Sequence, residues 1–418
     1  MQMKNRSNEA FQSGRWQTID ALRGVAALGV VLFHAMGATS HMEAPVGFIG
    51  WLIYPIALIV SYGYVGVFLF FVISGFCIHL QWAKAQASGA HVRIDFWSFW
   101  KRRWRRLYPP YLIALALYLL IAALTSEVRM TGFYLWDILL HLLMLHNFDP
   151  RTVYSINGVF WTLAVEEQLY LAYFILLFIR TRWGWTPTLL LCAMVRIGWF
   201  ALCYNLKNSF GIEIPHAEGA AAYWLTWALG AMSVEAMVGL IRLPAWTHRL
   251  MIGISALLGA ICLTISLPLF AAHTFTHHLL WLLLHPTWGV GFFIIINCAV
   301  RAEQSWRNDL RNAPHLVLWL AGIGLFSYSL YLTHQLVIME AYVFYFTRLS
   351  PQLIALLIVL PVCLISARSF FVFCEKPFLK SSAVAKKSIK IEEKMPAEHE
   401  ALHPYAAYQN PSPIDVYE

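Results

Sequence analysis

The feature that most constrains this chain is a series of about ten apolar runs, each of the roughly 17–25 residues that cross the hydrocarbon of a bilayer as a helix. They fall near 21–38, 62–82, 107–124, 159–179, 187–204, 219–241, 250–269, 279–300, 315–342 and 352–374. The fold class expected is all-α: a polytopic membrane bundle of about ten transmembrane helices, with membrane lipid as its first partner. The stretch Gly47–Val60 is aromatic and reads as interfacial, and Leu135–Leu145 is apolar but too short to span and reads as interfacial or re-entrant.

Charge supports this reading and orients it. Only 12% of the residues are charged, against about 25% in soluble domains, and 59% are hydrophobic. Net charge is +8, yet no nucleic-acid motif accompanies it, and the basic residues are assigned to membrane topology. Among the 30 Lys and Arg, Arg129, Arg151, Lys207 and Arg348 fall on one side and Arg23, Arg196 and Arg368 inside spans. All the others share the side of the termini, so both termini are expected to be cytoplasmic. The domain reading is a cytoplasmic tail over 1–15, a transmembrane domain over 16–380, and a disordered, Pro-containing cytoplasmic tail over 381–418. The first run is too long and too charged for a cleaved signal peptide. The seven cysteines lie in or beside apolar runs without a CxxC pair, and read as packing residues.

Against this apolar background a few polar side chains stand out, because ionisable groups are costly in hydrocarbon and mark functional sites. Arg23 and His34 lie three helical turns apart, about 16 Å along one face of the first span. Asp20 is placed as its N-cap, while Gly24, Ala26, Ala27 and Gly29 leave room for a neighbouring helix. In the basic block KRRWRRLYPPY, Arg103 and Arg106 share a helix face, and their guanidinium forks suit phosphate. In the fourth span Glu166 falls on the side of Thr162 and Tyr170, and adjacent Glu167 points about 100° away. Ser327, Tyr331 and His334 form a polar line in the ninth span. His273, His277 and His278 have no carboxylate or cysteine close by to complete a ligand set, so no metal site is expected.

These motifs, taken in order, resemble the acyltransferase family 3, integral membrane enzymes that acylate extracytoplasmic carbohydrates and related acceptors. The resemblance runs from Asp20 to Pro377 through DALRGVAALGVVLFH, VGVFLFFVISGF, RRWRRLYP, WTLAVEEQLY, SYSLYLTH and EKP. Thr162 stands where serine is usual, and Phe68 where relatives often carry an acidic residue. The resemblance implies that Arg23 and His34 match the family's essential pair, Arg103 and Arg106 its donor-associated arginines, and Glu166 its fourth-span glutamate. It also implies the form of the family without an added soluble transferase domain.

The function expected is O-acyl transfer, most simply of acetyl, from cytoplasmic acyl-coenzyme A to a hydroxyl of an extracytoplasmic carbohydrate or glycoconjugate, in a bacterial inner membrane. His34, Glu166 and Arg23 are the candidate catalytic residues, Arg103 and Arg106 the donor-binding pair. Tyr331, His334, Trp161 and Ser74 are candidate substrate contacts. No permanently bound cofactor is expected, acyl-coenzyme A being a substrate. His34 acts as general base or as an acyl carrier; spacing does not choose between the two. A multispan transporter or flippase is the rival reading, since buried charges serve carriers as well.

Overall fold

The structure, a computed structural model, describes residues 15–37, 59–90, 94–125, 131–271, 274–307, 309–341 and 354–379. Every regular element among them is helical. The helices are α1 (Gln17–Gly37), α2 (Gly66–Ala87), α3 (Phe96–Leu124), α4 (Gly132–Leu142), α5 (Trp161–Trp183), α6 (Trp185–Phe210), α7 (Ala220–Met237), α8 (Leu250–Ser266), α9 (Phe275–Trp306), α10 (His315–Gly324), α11 (Ser327–Ala341) and α12 (Leu360–Phe370). All of the expected N-terminal tail but Arg15, the expected C-terminal tail, and most of the segment 47–60 lie outside the described residues.

Among the described residues, eight helices are long and apolar enough to cross a membrane, and α10 with α11, bent by 69° to one another, brings the number to nine if the two together form one span. The protein is an integral, multi-pass membrane protein. α7, the sixth of the ten expected spans, is less apolar than these eight. It packs against α2, α6 and α9 and buries Thr226, Ser233 and Glu235 together with its apolar residues. A helix enclosed by protein needs no lipid-facing surface, and so its composition is more polar. The short apolar stretch after the third span forms α4.

Two further expectations shift at helix starts. The third span begins at Phe96, because Asp95 accepts a hydrogen bond from Ser98 N at 2.7 Å and caps the helix ahead of the basic block. Asp20 is not the N-cap of α1: the helix begins at Gln17, and Glu303 of α9 caps it from outside. Its carboxylate accepts from Gln17 N at 3.0 Å and Thr18 N at 2.7 Å, while Arg307 holds it at 2.7 Å. Asp20 instead pairs with Arg15 at 2.8 Å.

Small residues set the helix spacing. A Cβ on Gly24 would lie 2.2 Å from the Leu320 carbonyl oxygen, and one on Gly324 would lie 1.8 Å from that of Asp20, so α1 and α10 touch backbone to backbone. Gly75 and Gly230 bring α2 and α7 together in the same way. Arg196, the intramembrane arginine of α6, is explained by a proline. Pro286 in α9 has no N–H for the Leu282 carbonyl, and Arg196 Nε donates to that oxygen at 3.2 Å. The same guanidinium serves the carbonyls of Ala222 at 2.6 Å and Trp281 at 3.0 Å.

Candidate functional site

A partly open cavity lies where α1, α2, α3, α5, the α10–α11 break and the end of the chain's last described helical segment converge. Arg23 enters it from α1, Arg103 and Arg106 from α3, Ser74 from α2, and Glu166 and Thr162 from α5. Tyr331 closes one wall from α11. The basic block is sorted by helix periodicity: Arg103 and Arg106 are half-buried towards the cavity, while Lys101, Arg102 and Arg105 are exposed.

Among the described residues, none of the three cavity guanidinium groups hydrogen-bonds to protein, and their one near ion pair is Arg23 with Asp20 at 4.0 Å. Arg103 lies over the Phe99 ring, 5.6 Å from its centroid. Three cations with unused donors in one cavity make an anion-binding surface. Glu166 is by contrast held in place. Ser74 Oγ donates to its Oε1 at 2.8 Å, Tyr170 OH donates to the same oxygen, and Trp227 Nε1 donates to Ser74 Oγ at 3.2 Å. Glu167 does not line the cavity; it is buried with Oε1 unpartnered.

His34 and His334 do not line the cavity but meet each other beside it, His334 Nε2 lying 3.2 Å from His34 Nδ1. Tyr331 links the two regions. Its hydroxyl is 2.7 Å from Thr162 Oγ1, its ring edge faces Phe70, and its ring centroid is 5.8 Å from that of His334. Trp161 is half-buried outside the cavity, against Tyr223 at 5.9 Å between ring centroids. Thus Arg23, Arg103, Arg106, Ser74, Glu166 and Tyr331 are brought together, His34 and His334 are adjacent to them, and Trp161 stands apart.

The family described as an acyltransferase domain, acyltransferase 3, matches residues 16–368. The chain belongs to this family. Curated relatives of this acyltransferase-3 chain include the peptidoglycan O-acetyltransferase OatA of Listeria monocytogenes, 26% identical over 45% of this chain and 29% of that protein. Nodulation protein 10 of Rhizobium leguminosarum is 25% identical over 54% of this chain and 61% of its own length. The O-acetyltransferase OatA of Staphylococcus aureus is 29% identical over 37% of this chain and 23% of its own. The chain therefore spans less than two thirds of each of these relatives. No solved structure matches it.

The cavity of this acyltransferase-3 chain also contains Glu375, from the EKP motif, whose carboxylate accepts from Ser329 Oγ at 2.5 Å. Sequence reading noted the motif without assigning Glu375 to the site. Glu375 closes a π-helical turn, Phe371–Glu375, and irregularity of that kind clusters at functional sites.

Proposed function

We propose that this protein is a membrane O-acyltransferase that moves an acyl group, most simply acetyl, from acyl-coenzyme A to a hydroxyl of a carbohydrate or glycoconjugate. One observation carries the reading: three arginines with free donors share a cavity with a fixed carboxylate, and the wall of that cavity touches a histidine pair. Membership of an acyltransferase family supports the reaction class, and a relative named for peptidoglycan O-acetylation supports acetyl and a glycan acceptor. Both weigh against the transporter reading.

In this proposal Arg103 and Arg106 hold the phosphates of coenzyme A, and the pantetheine arm runs past Arg23 towards Phe70 and Tyr331. His34 takes the proton of the acceptor hydroxyl, whose oxygen attacks the thioester carbonyl; the thiolate of coenzyme A leaves and is protonated in turn. Histidine suits the task because its ordinary pKa lies near neutrality. Arg23 stabilises charge developing on the carbonyl oxygen, and Glu166 orients the acceptor or the donor amide. The charge distribution in sequence supports cytoplasmic termini, a donor entering from the cytoplasm, and a bacterial inner membrane as the location.

The test is transfer of radiolabelled acetyl from acetyl-coenzyme A to a panel of soluble glycan fragments by the purified protein. Label should appear in a glycan, and His34→Ala should lower the rate by about 10²–10⁴. Undiminished transfer by His34→Ala removes His34 from the chemistry, and transport of a glycan without acylation overturns the proposal.

A further inference from the structure

We propose that His334 is a positioning residue for acyl transfer, fixing the proton of His34 on Nδ1 and leaving Nε2 as the base. The inference rests on the reading of His34 as general base and adds the group that sets its protonation.

The hydrogen-bond geometry assigns the protons ring by ring. His334 is fully buried on α11, and its Nδ1 lies 2.8 Å from the Tyr331 carbonyl oxygen and 3.1 Å from that of Leu330. A carbonyl oxygen can only accept, so Nδ1 of His334 carries the hydrogen and Nε2 of the neutral ring is an acceptor. That Nε2 faces His34 Nδ1 at 3.2 Å, and the Val30 carbonyl oxygen faces the same His34 Nδ1 at 2.9 Å. Both neighbours of His34 Nδ1 are acceptors, so the hydrogen is there, shared between them. The lone pair of His34 is therefore on Nε2, which has no hydrogen-bond partner among the described residues.

The arrangement does for His34 what a carboxylate does for the histidine of a hydrolase triad: it selects one tautomer and supports the cation that forms. When Nε2 takes the proton of the acceptor hydroxyl, the Nδ1–H becomes a charge-assisted donor to His334, a stronger bond than the neutral one it replaces. His334 is braced by the two backbone carbonyls and needs no movement to meet that charge. The proton on His34 Nε2 then passes to the departing thiolate, so donor and acceptor leave as free thiol and ester and both histidines return to neutral. A neutral orienting group also avoids burying a carboxylate in the bundle beside an uncharged imidazole.

The experiment uses the full chain in lipid nanodiscs, with acetyl-coenzyme A as donor and the glycan fragment that accepts acetyl in the assay above. His334→Met keeps volume but offers no comparable acceptor, while His334→Gln places an amide oxygen within reach of His34. The Met variant should lose about 10²-fold in kcat with donor KM changed less than about 3-fold, and the Gln variant should keep at least about a tenth of wild-type kcat. Nitrogen NMR of histidine-labelled wild type, with His34→Gln to assign the signal, should show His34 protonated on Nδ1. A Met variant with wild-type kcat beside an inactive His34→Ala, or a His34 proton on Nε2, overturns the role of His334. An active His34→Ala instead overturns the reading of His34 itself.

Discussion

Ser74 Oγ donates to Glu166 Oε1 at 2.8 Å, joining α2 to α5 across the cavity. Tyr170 uses the same oxygen, so Oε2 of Glu166 has no hydrogen-bond partner among the described residues. Glu167, one position on, points away from the cavity. Glu166→Gln should therefore lower kcat by about 10²-fold or more, whereas Glu167→Gln should change it less than about 5-fold, since only the first removes a charge from the site. Steady-state kinetics of the two purified variants checks this, and equal mild effects would remove both carboxylates from the chemistry.

Arg196→Leu should destabilise the bundle without touching the cavity. The guanidinium serves three buried carbonyl oxygens, of Ala222, Trp281 and Leu282, and an orphaned buried polar group costs about 1–3 kcal/mol. Thermal unfolding in detergent should shift down by many degrees, with kcat of the surviving folded protein near wild type. An unchanged midpoint would contradict the structural role given to Arg196.

His146, in the connection between α4 and α5, is buried and stacked on His141 at 3.9 Å between ring centroids. Burial, and next the neighbouring His141, push its pKa down to about 3 from an ordinary 6.5. Above pH 6.5 the group is neutral whether folded or unfolded. As the pH falls from 6.5 towards 3 only the unfolded chain takes up the proton, so this contribution to stability is lost over that window. Between pH 7 and pH 5 the unfolding midpoint should fall further in wild type than in His146→Phe. Parallel falls in the two proteins would count against the assignment.

What sequence made legible follows from what helical spacing encodes. The inward direction of Arg103 and Arg106 and the placing of Glu166 rather than Glu167 towards the cavity depend on positions within one helix, and the cavity lining agrees with both; Arg23 lines it as well, whereas His34 lies beside it. The features that escaped depend on distant partners. Glu303 caps α1 from 285 positions away, displacing Asp20 from that role. Glu375 reaches the cavity from a motif at the far end of the domain, and Arg196 answers a proline in another helix. The enclosure of α7 is likewise a property of its neighbours, which hydropathy along the chain does not carry.

The central claim is that donor and acceptor meet inside the bundle from opposite faces, the donor at the arginine cavity. Arg23 near the start of α1, Arg103 and Arg106 near the start of α3, and Glu375 after α12 gather at one end, and His34 lies about 16 Å further along α1. A hydrated nucleotide cannot follow the acyl group that far without a desolvation cost of several kcal/mol. The measurement is acyl transfer in sealed vesicles of known orientation, with acetyl-coenzyme A confined to one face at a time. Transfer should require the donor on the face that carries the N-terminus, and Arg103→Ala with Arg106→Ala should raise donor KM about 10-fold or more, while Lys101→Ala and Arg105→Ala leave it nearly unchanged. Efficient transfer with the donor held on the opposite face, or a donor KM indifferent to the loss of Arg103 and Arg106, would contradict the account.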